Sequence, residues 1–146
     1  MSDVGFYHLT RTDAGKALPQ LLNRTLAAGQ RALVRCADAA RVAALDAALW
    51  DAADFLPHGT AKDGDPEIQP IWLTAADENP NGARFLFLLD GAGSAHLPEY
   101  DRVFDLFDGA DEQAVAAARE RWRAAKAAGH ALAYWKQGPR GWEKAA

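Results

Sequence analysis

Arg84-Phe85-Leu86-Phe87-Leu88-Leu89-Asp90 is the stretch from which the fold is read. An unbroken apolar run with no polar alternation describes a strand buried on both faces. It is far too short to cross a bilayer, which takes about 20 residues. A strand covered above and below needs helices on either side, so its neighbours should alternate between strand and helix. Working outward, Val4–Leu9 reads as a strand. Asp13 is placed to cap a helix to about Ala28, where Gly29 stops it. Ala17, Leu21, Leu22, Thr25 and Leu26 fall at helical spacing within it. Arg31–Cys36 is a second strand. Asp38 caps a helix to about Ala52, with Val42, Leu45, Leu49 and Ala53 on one face. Phe55 to Pro70 carries Pro57, Pro66 and Pro70 and reads as a long loop. Ile71–Thr74 and Arg102–Phe107 are strands, and Asn79-Pro80-Asn81-Gly82 is a turn. Asp111 caps an alanine-rich helix to about Ala128, closed by Gly129, before a last strand over Ala131–Gln137.

This order predicts a three-layer α/β domain with a mainly parallel central sheet flanked by helices, Rossmann-like in topology and without a nucleotide site. One domain is expected over residues 1–138, and residues 139–146 are expected to form a mobile tail.

The composition is that of a soluble globular chain: 49% apolar and 25% charged over 146 residues. The lone Cys36 excludes an internal disulfide and suits a reducing cytoplasm. No basic-then-apolar leader is visible, so no signal peptide is expected. His8, His58, His96 and His130 are scattered without metal-ligand spacing. The net charge of −4 argues against nucleic-acid binding by the surface as a whole. Residues 119–146 nevertheless carry a net +5 and residues 1–118 a net −9. Something negative is expected to dock at that basic C-terminal edge.

Motifs for catalysis fail on inspection. Gly91-Ala92-Gly93-Ser94-Ala95-His96 begins like a dinucleotide fingerprint, but its last position is His and Pro98 follows. Ala14-Gly15-Lys16-Ala17 resembles the end of a phosphate loop, yet Thr10 replaces the first glycine and Ala17 the magnesium-binding hydroxyl. Asp51/Asp54 and Asp63/Asp65 need no explanation beyond solvated helix ends and loops. Cys36 in an apolar strand is a small buried hydrophobe. No cofactor, metal or catalytic residue is expected, and the chain is not expected to be an enzyme.

The last helix carries a surviving pattern. Arg119, Trp122, Arg123 and Lys126 recur at i, i+3, i+4 and i+7, one helical face, with Val115 a turn earlier. Ala117, Ala124 and Ala128 are expected to pack that helix on the sheet. A basic face holding one aromatic, in an otherwise acidic chain, suits an acidic peptide with an apolar anchor; the plain alternative is a solvated face whose tryptophan is partly core. A second patch joins Leu49-Trp50 to Phe55-Leu56-Pro57-His58, either as core or as interface anchors.

The ordered set of motifs resembles the chi subunit family of bacterial DNA polymerase III. It comprises Phe6-Tyr7-His8-Leu9, Ala28-Gly29, Leu45-Asp46 with Leu49-Trp50, and Phe55-Leu56-Pro57-His58-Gly59. Gln69-Pro70-Ile71, Asn79-Pro80-Asn81, Arg102-Val103-Phe104 and Phe107-Asp108 continue it. Ala118-Arg119-Glu120-Arg121-Trp122-Arg123, Ala128-Gly129-His130 and Tyr134-Trp135 complete it. The resemblance implies an α/β fold without a phosphate loop and an accessory role in the DNA polymerase III holoenzyme. It implies that Arg119, Trp122, Arg123 and Lys126, lined by Phe107, bind the acidic C-terminal tail of single-stranded-DNA-binding protein. It implies a second surface, on Trp50, Phe55 and His58, for the psi subunit of the clamp loader or for an accessory helicase. DNA would be met only indirectly, and no membrane is involved. Trp122 stands where the family often has Tyr. The rival readings are a nucleotide-binding enzyme on a doubly wound sheet and a direct binder of single-stranded nucleic acid.

Overall fold

Phe87 sits in the middle of the sheet, fully buried, and its ring stacks on that of Phe104 from the neighbouring strand with centroids 4.3 Å apart. The structure is a computed structural model and describes residues 2–52 and 56–146. Its elements run β1 (Asp3–Leu9), α1 (Ala14–Ala27), β2 (Ala32–Arg35), α2 (Ala39–Trp50), β3 (Ile71–Thr74), β4 (Phe85–Leu89), β5 (Arg102–Asp108), α3 (Glu112–Ala127), β6 (Ala131–Gly138) and β7 (Gly141–Lys144). Three-residue 3-10 turns lie at Pro66–Ile68 and Leu97–Glu99. The sheet order is β3-β2-β4-β5-β1-β6-β7. All neighbours are parallel except the antiparallel β6–β7 pair. This is the three-layer α/β arrangement that the alternation of patterns predicts.

Side-chain alternation along the strands divides the core in two. Phe87 and Leu89 join Leu18, Leu22, Leu45 and Leu49 of α1 and α2 on one face. Leu86 and Leu88 join Val4, Phe6, Val103 and Ala118 on the face covered by α3. The predicted caps form as hydrogen bonds. Asp13 accepts from Lys16 N at 3.0 Å, Asp38 from Arg41 N at 2.8 Å, and Asp111 from Gln113 N at 2.9 Å.

The long segment before β3 has a structural task among its described residues. Gly59 N donates to Ile71 O, and Gly59 O accepts from Leu73 N, both at 2.9 Å. The segment thereby covers backbone groups of the edge strand β3. In the Asn79–Gly82 turn, Asn81 is buried and donates to Ala32 O and Gln69 O, tying the turn to β2.

Two expectations need correction. Residues 139–146 were assigned to a tail, but the chain reverses at Pro139-Arg140 and returns as β7 along β6. Its anchor is Trp142, which meets the Tyr7 ring edge-on at 5.0 Å while Trp135 stacks on the same ring at 6.3 Å. A single tryptophan in a short polar strand leaves no periodic signal. The other correction concerns the packing face of α3. Ala117, Ala124 and Ala128 are exposed; Ala118 and Ala125 are the buried alanines, flanked by half-buried Val115 and Trp122. Covering an indole removes far more apolar area from water than covering a methyl group, so the helix rolls towards Trp122.

The rotation of α3 is also held by charge. Asp105 on β5 is 2% exposed. It accepts a fork from Arg121, with Nε at 2.6 Å and the second nitrogen at 3.0 Å. Burial pushes the Asp105 carboxyl above the usual carboxylate range, and the Arg121 hydrogen bonds and charge oppose that rise. Removing one partner strands the other. Arg121→Ala should lose about 3–5 kcal/mol in urea unfolding, while the paired change Asp105→Leu with Arg121→Met should recover most of that loss.

Candidate protein-binding site

Three parallel strands bring a row of side chains to the α3 face at their carboxyl ends. In register, His8 of β1 lies beside Phe107 of β5 and Lys136 of β6. Phe6, one pleat earlier, lies beside Asp105 and Tyr134. Tyr134 and Lys136 share a face because they are two residues apart on one strand. Above this row α3 contributes Trp122, half-buried, whose ring meets Phe6 at 5.4 Å and Tyr134 at 6.1 Å, both edge-on. Phe107 is 3% exposed and packs edge-on against His8 at 5.2 Å and Tyr134 at 6.1 Å. Phe6, Phe107, Tyr134 and Trp122 thus make an aromatic floor and wall.

The cations stand over that floor. Arg119, Arg123, Lys126 and Lys136 are exposed. Arg123 pairs with Glu120 one turn back on the helix. Arg119 forms no ion pair among the described residues, yet its charge reaches both Tyr134 and His8. Burial pushes the Tyr134 hydroxyl up from its ordinary value, and Arg119 opposes this. His8 is held below the ordinary imidazole range, first by burial, then by Lys136 and to a lesser degree Arg119. The Gly109 backbone and Asp108 pull the other way. Its Nδ1 is hydrogen-bonded to the Tyr134 hydroxyl.

The structure therefore brings Arg119, Trp122 and Phe107 together around one shelf, with Arg123 and Lys126 further along the exposed side of α3. Sequence reasoning missed His8, Tyr134 and Lys136. Nothing local marks them; the sheet order, which puts β1 between β5 and β6, is what makes them neighbours.

The second predicted patch resolves differently. Trp50, at the end of α2, is 57% exposed. His58 is 4% exposed and lies beneath it, with ring centroids 4.3 Å apart. His58 Nε2 bonds Asp46 Oδ1 at 2.9 Å, and Nδ1 bonds Leu56 O at 2.7 Å. His58 is thus a prop under Trp50 and presents no surface of its own. Phe55 and Ala53 lie outside the described residues. This patch is on the α1/α2 side of the sheet, opposite α3.

The place where doubly wound sheets usually take a phosphate is the crevice at the carboxyl ends of the strands. Here it is a cleft of about 830 Å³ lined in part by Arg11, Lys16, Arg41, Asp90 and Asp108. Some of its polar groups are matched internally. Arg41 pairs with Asp90 at 2.9 Å. After β1, the backbone N–H groups of Thr10, Arg11 and Thr12 converge on Gln137 Oε1 at 2.9, 2.9 and 3.2 Å. Three convergent amides form an anion-accepting nest, and a neutral carboxamide oxygen from β6 fills it. After Gly91, at φ +80°, the chain makes only a 3-10 turn at Leu97–Glu99, so no helix follows β4 to face a pyrophosphate.

The loop after β1 is thus filled from within by Gln137, while on α3 Arg119 forms no ion pair among the described residues. Residues 1–133 match the family model described as DNA polymerase III chi subunit, HolC. A protein of Rickettsia prowazekii (strain Madrid E), named "Probable DNA polymerase III subunit chi", is 28% identical over 109 residues, 71% of this chain and 66% of its own length. The chain belongs to the DNA polymerase III chi subunit family. Tyr134, Trp135, Lys136, Gln137 and β7 fall beyond the matched residues.

Gln137→Ala should open the nest to water. Hydrogen exchange at the Thr10, Arg11 and Thr12 amides should quicken markedly, with about 1 kcal/mol lost in global stability, the net worth of one such bond.

Proposed function

We propose that this protein is an accessory subunit of the DNA polymerase III holoenzyme and clamp-loader complex, acting in the cytoplasm and without catalysis of its own. It links that complex to single-stranded-DNA-binding protein by holding that protein's acidic C-terminal tail. The observation that carries this reading is the aromatic shelf of Phe107 and Trp122 roofed by Arg119, on a chain of the chi family. The family's tails end in acidic residues, a proline and a terminal phenylalanine. Arg119 offers a planar fork to the α-carboxylate, and such charged pairs are stronger than neutral ones. The terminal ring lies against Trp122 over Phe107. Arg123 and Lys126 attract the acidic residues upstream, with Arg123 giving up its Glu120 contact.

A short contact of this kind gives an affinity near the micromolar range, about −8 kcal/mol. It weakens with salt because the cations are exposed. The test is titration of a tail peptide by calorimetry. Arg119→Ala should cost about 1.5–3 kcal/mol, the scale of a charged hydrogen bond. Deleting the terminal phenylalanine should cost at least as much. Equal binding by wild type and Arg119→Ala, or indifference to that phenylalanine, puts the tail elsewhere.

Trp50 carries the second contact, to the psi subunit of the clamp loader or to an accessory helicase. The supporting observation is an indole held out into solvent on a buried His58–Asp46 prop, which limits the rotamer freedom a partner must quench. Phe55 is assigned to the same contact by the family resemblance. Trp50→Ala should abolish capture of that partner while the melting temperature moves little; a mutant that unfolds instead would make Trp50 a core residue. DNA is reached only through these partners, and the filled phosphate loop accords with an absence of nucleotide binding.

A further inference from the structure

The tail shelf contains a titrating pair that the reading above does not use. His8 and Tyr134 are joined side chain to side chain; the charge of Arg119 on α3 reaches both, and that of Lys136 on β6 reaches His8. We infer that this pair forms the carboxylate-receiving floor of the shelf, Tyr134 meeting the tail's carboxylate and His8 taking up a proton as it does so. The inference rests on the tail-binding reading and adds a proton to it.

The geometry supports it from each side. His8 is wedged against Phe107 of β5 and Tyr134 of β6. At Gly109 a Cβ would collide with the His8 ring, so a residue with no side chain lets the ring sit where it does. The Gly109 backbone beside the ring favours its protonated form. The groups facing His8 are therefore Lys136 and Tyr134 from β6, Arg119 from α3, and Asp108 from the end of β5. Two cations against one carboxylate leave this spot short of negative charge.

In the free protein burial first, and then the charge of Lys136, disfavours a protonated His8, leaving Nδ1 to accept the Tyr134 hydroxyl hydrogen. Bringing a carboxylate to the Tyr134 oxygen, within reach of Arg119, adds the missing negative charge. His8 then binds a proton from solvent and donates Nδ1–H to Tyr134, whose own hydrogen turns to the carboxylate. One N–H bond forms, one proton leaves solvent, and nothing else changes covalently. Linkage fixes the sign. Because His8 titrates low when free and higher when the peptide is bound, the complex holds more protons than the free protein between those two points. Binding therefore strengthens as pH falls through that window and is flat above it.

The test is calorimetry with an acidic peptide ending in Pro-Phe, run at about pH 6 and about pH 8, where the peptide's carboxylates stay ionised. Each run is repeated in two buffers of different ionisation enthalpy, so that the difference in heat counts protons taken up. Wild type should take up a fraction of a proton at the lower pH and none at the higher. It should bind roughly three- to tenfold more tightly at the lower pH, the reach of one modestly shifted histidine. His8→Gln should lose both the uptake and the pH dependence. Tyr134→Phe, which keeps the ring but not the hydroxyl, should bind several-fold more weakly and lose most of the uptake. This second variant keeps the test open if His8→Gln fails to fold. Tail binding with identical heats in the two buffers, or uptake undiminished from wild type in either variant, overturns the inference and leaves the tail site standing. No binding by wild type overturns both.

Discussion

Asp105 lies on the central sheet almost wholly out of water, and Arg121 reaches down from α3 to grip it with two nitrogens. A buried carboxylate tolerates few alternatives to such a fork, because stranding it costs more than most side-chain contacts return. The pair therefore fixes the roll of α3 about its axis. With Arg121 pointed at the sheet, Trp122 is turned onto Phe6 and Tyr134, and Arg119, one turn earlier, is left above His8. Every feature of the proposed shelf depends on that rotation. A helix held by alanine contacts alone could roll until Arg119 and Trp122 no longer faced the same strands.

The same constraint shows why the basic stretch is not a uniform binding motif. Arg121 is consumed by the fold, Arg123 leans on Glu120, and Arg119 stays available. Three arginines close together in the sequence thus do three different things. The sheet supplies the other half of the shelf. Parallel pairing of β1 with β5 and with β6 lines up Phe107, His8 and Lys136 from chain positions far apart. In the crevice at the same end of the sheet the Gln137 carboxamide takes the three loop amides.

Much of this was legible in the sequence, for identifiable reasons. The apolar run at residues 85–89, the aspartate caps and the glycine stops are local signals, and they gave the strands and helices to within a residue or two. Arg119, Trp122, Arg123 and Lys126 were visible because helical spacing is also local. What escaped is what depends on tertiary geometry. The packing face of α3 was misread because the Asp105–Arg121 fork and the indole, not the alanines, decide its roll. The return strand β7 escaped because its side-chain anchor is one tryptophan against Tyr7, and its backbone pairing with β6 leaves no mark in the sequence. His8, Tyr134 and Lys136 escaped because only the sheet order joins them. His58 was taken for an interface residue, and its burial under Trp50 follows from a contact with Asp46 twelve residues back.

The central claim is that the exposed side of α3, with the aromatic floor below it, receives an acidic peptide end. Two-dimensional nitrogen–proton spectra of the labelled protein, recorded while a peptide ending in Asp-Pro-Phe is added, test it most directly. The account predicts shifts concentrated at the Trp122 indole, the Arg119 side chain and the backbone of Tyr134 and Lys136. It predicts quiet signals at Arg41 and Asp90 in the cleft and at the Trp50 indole. Shifts centred on the cleft or on Trp50, with Trp122 unmoved, would contradict it.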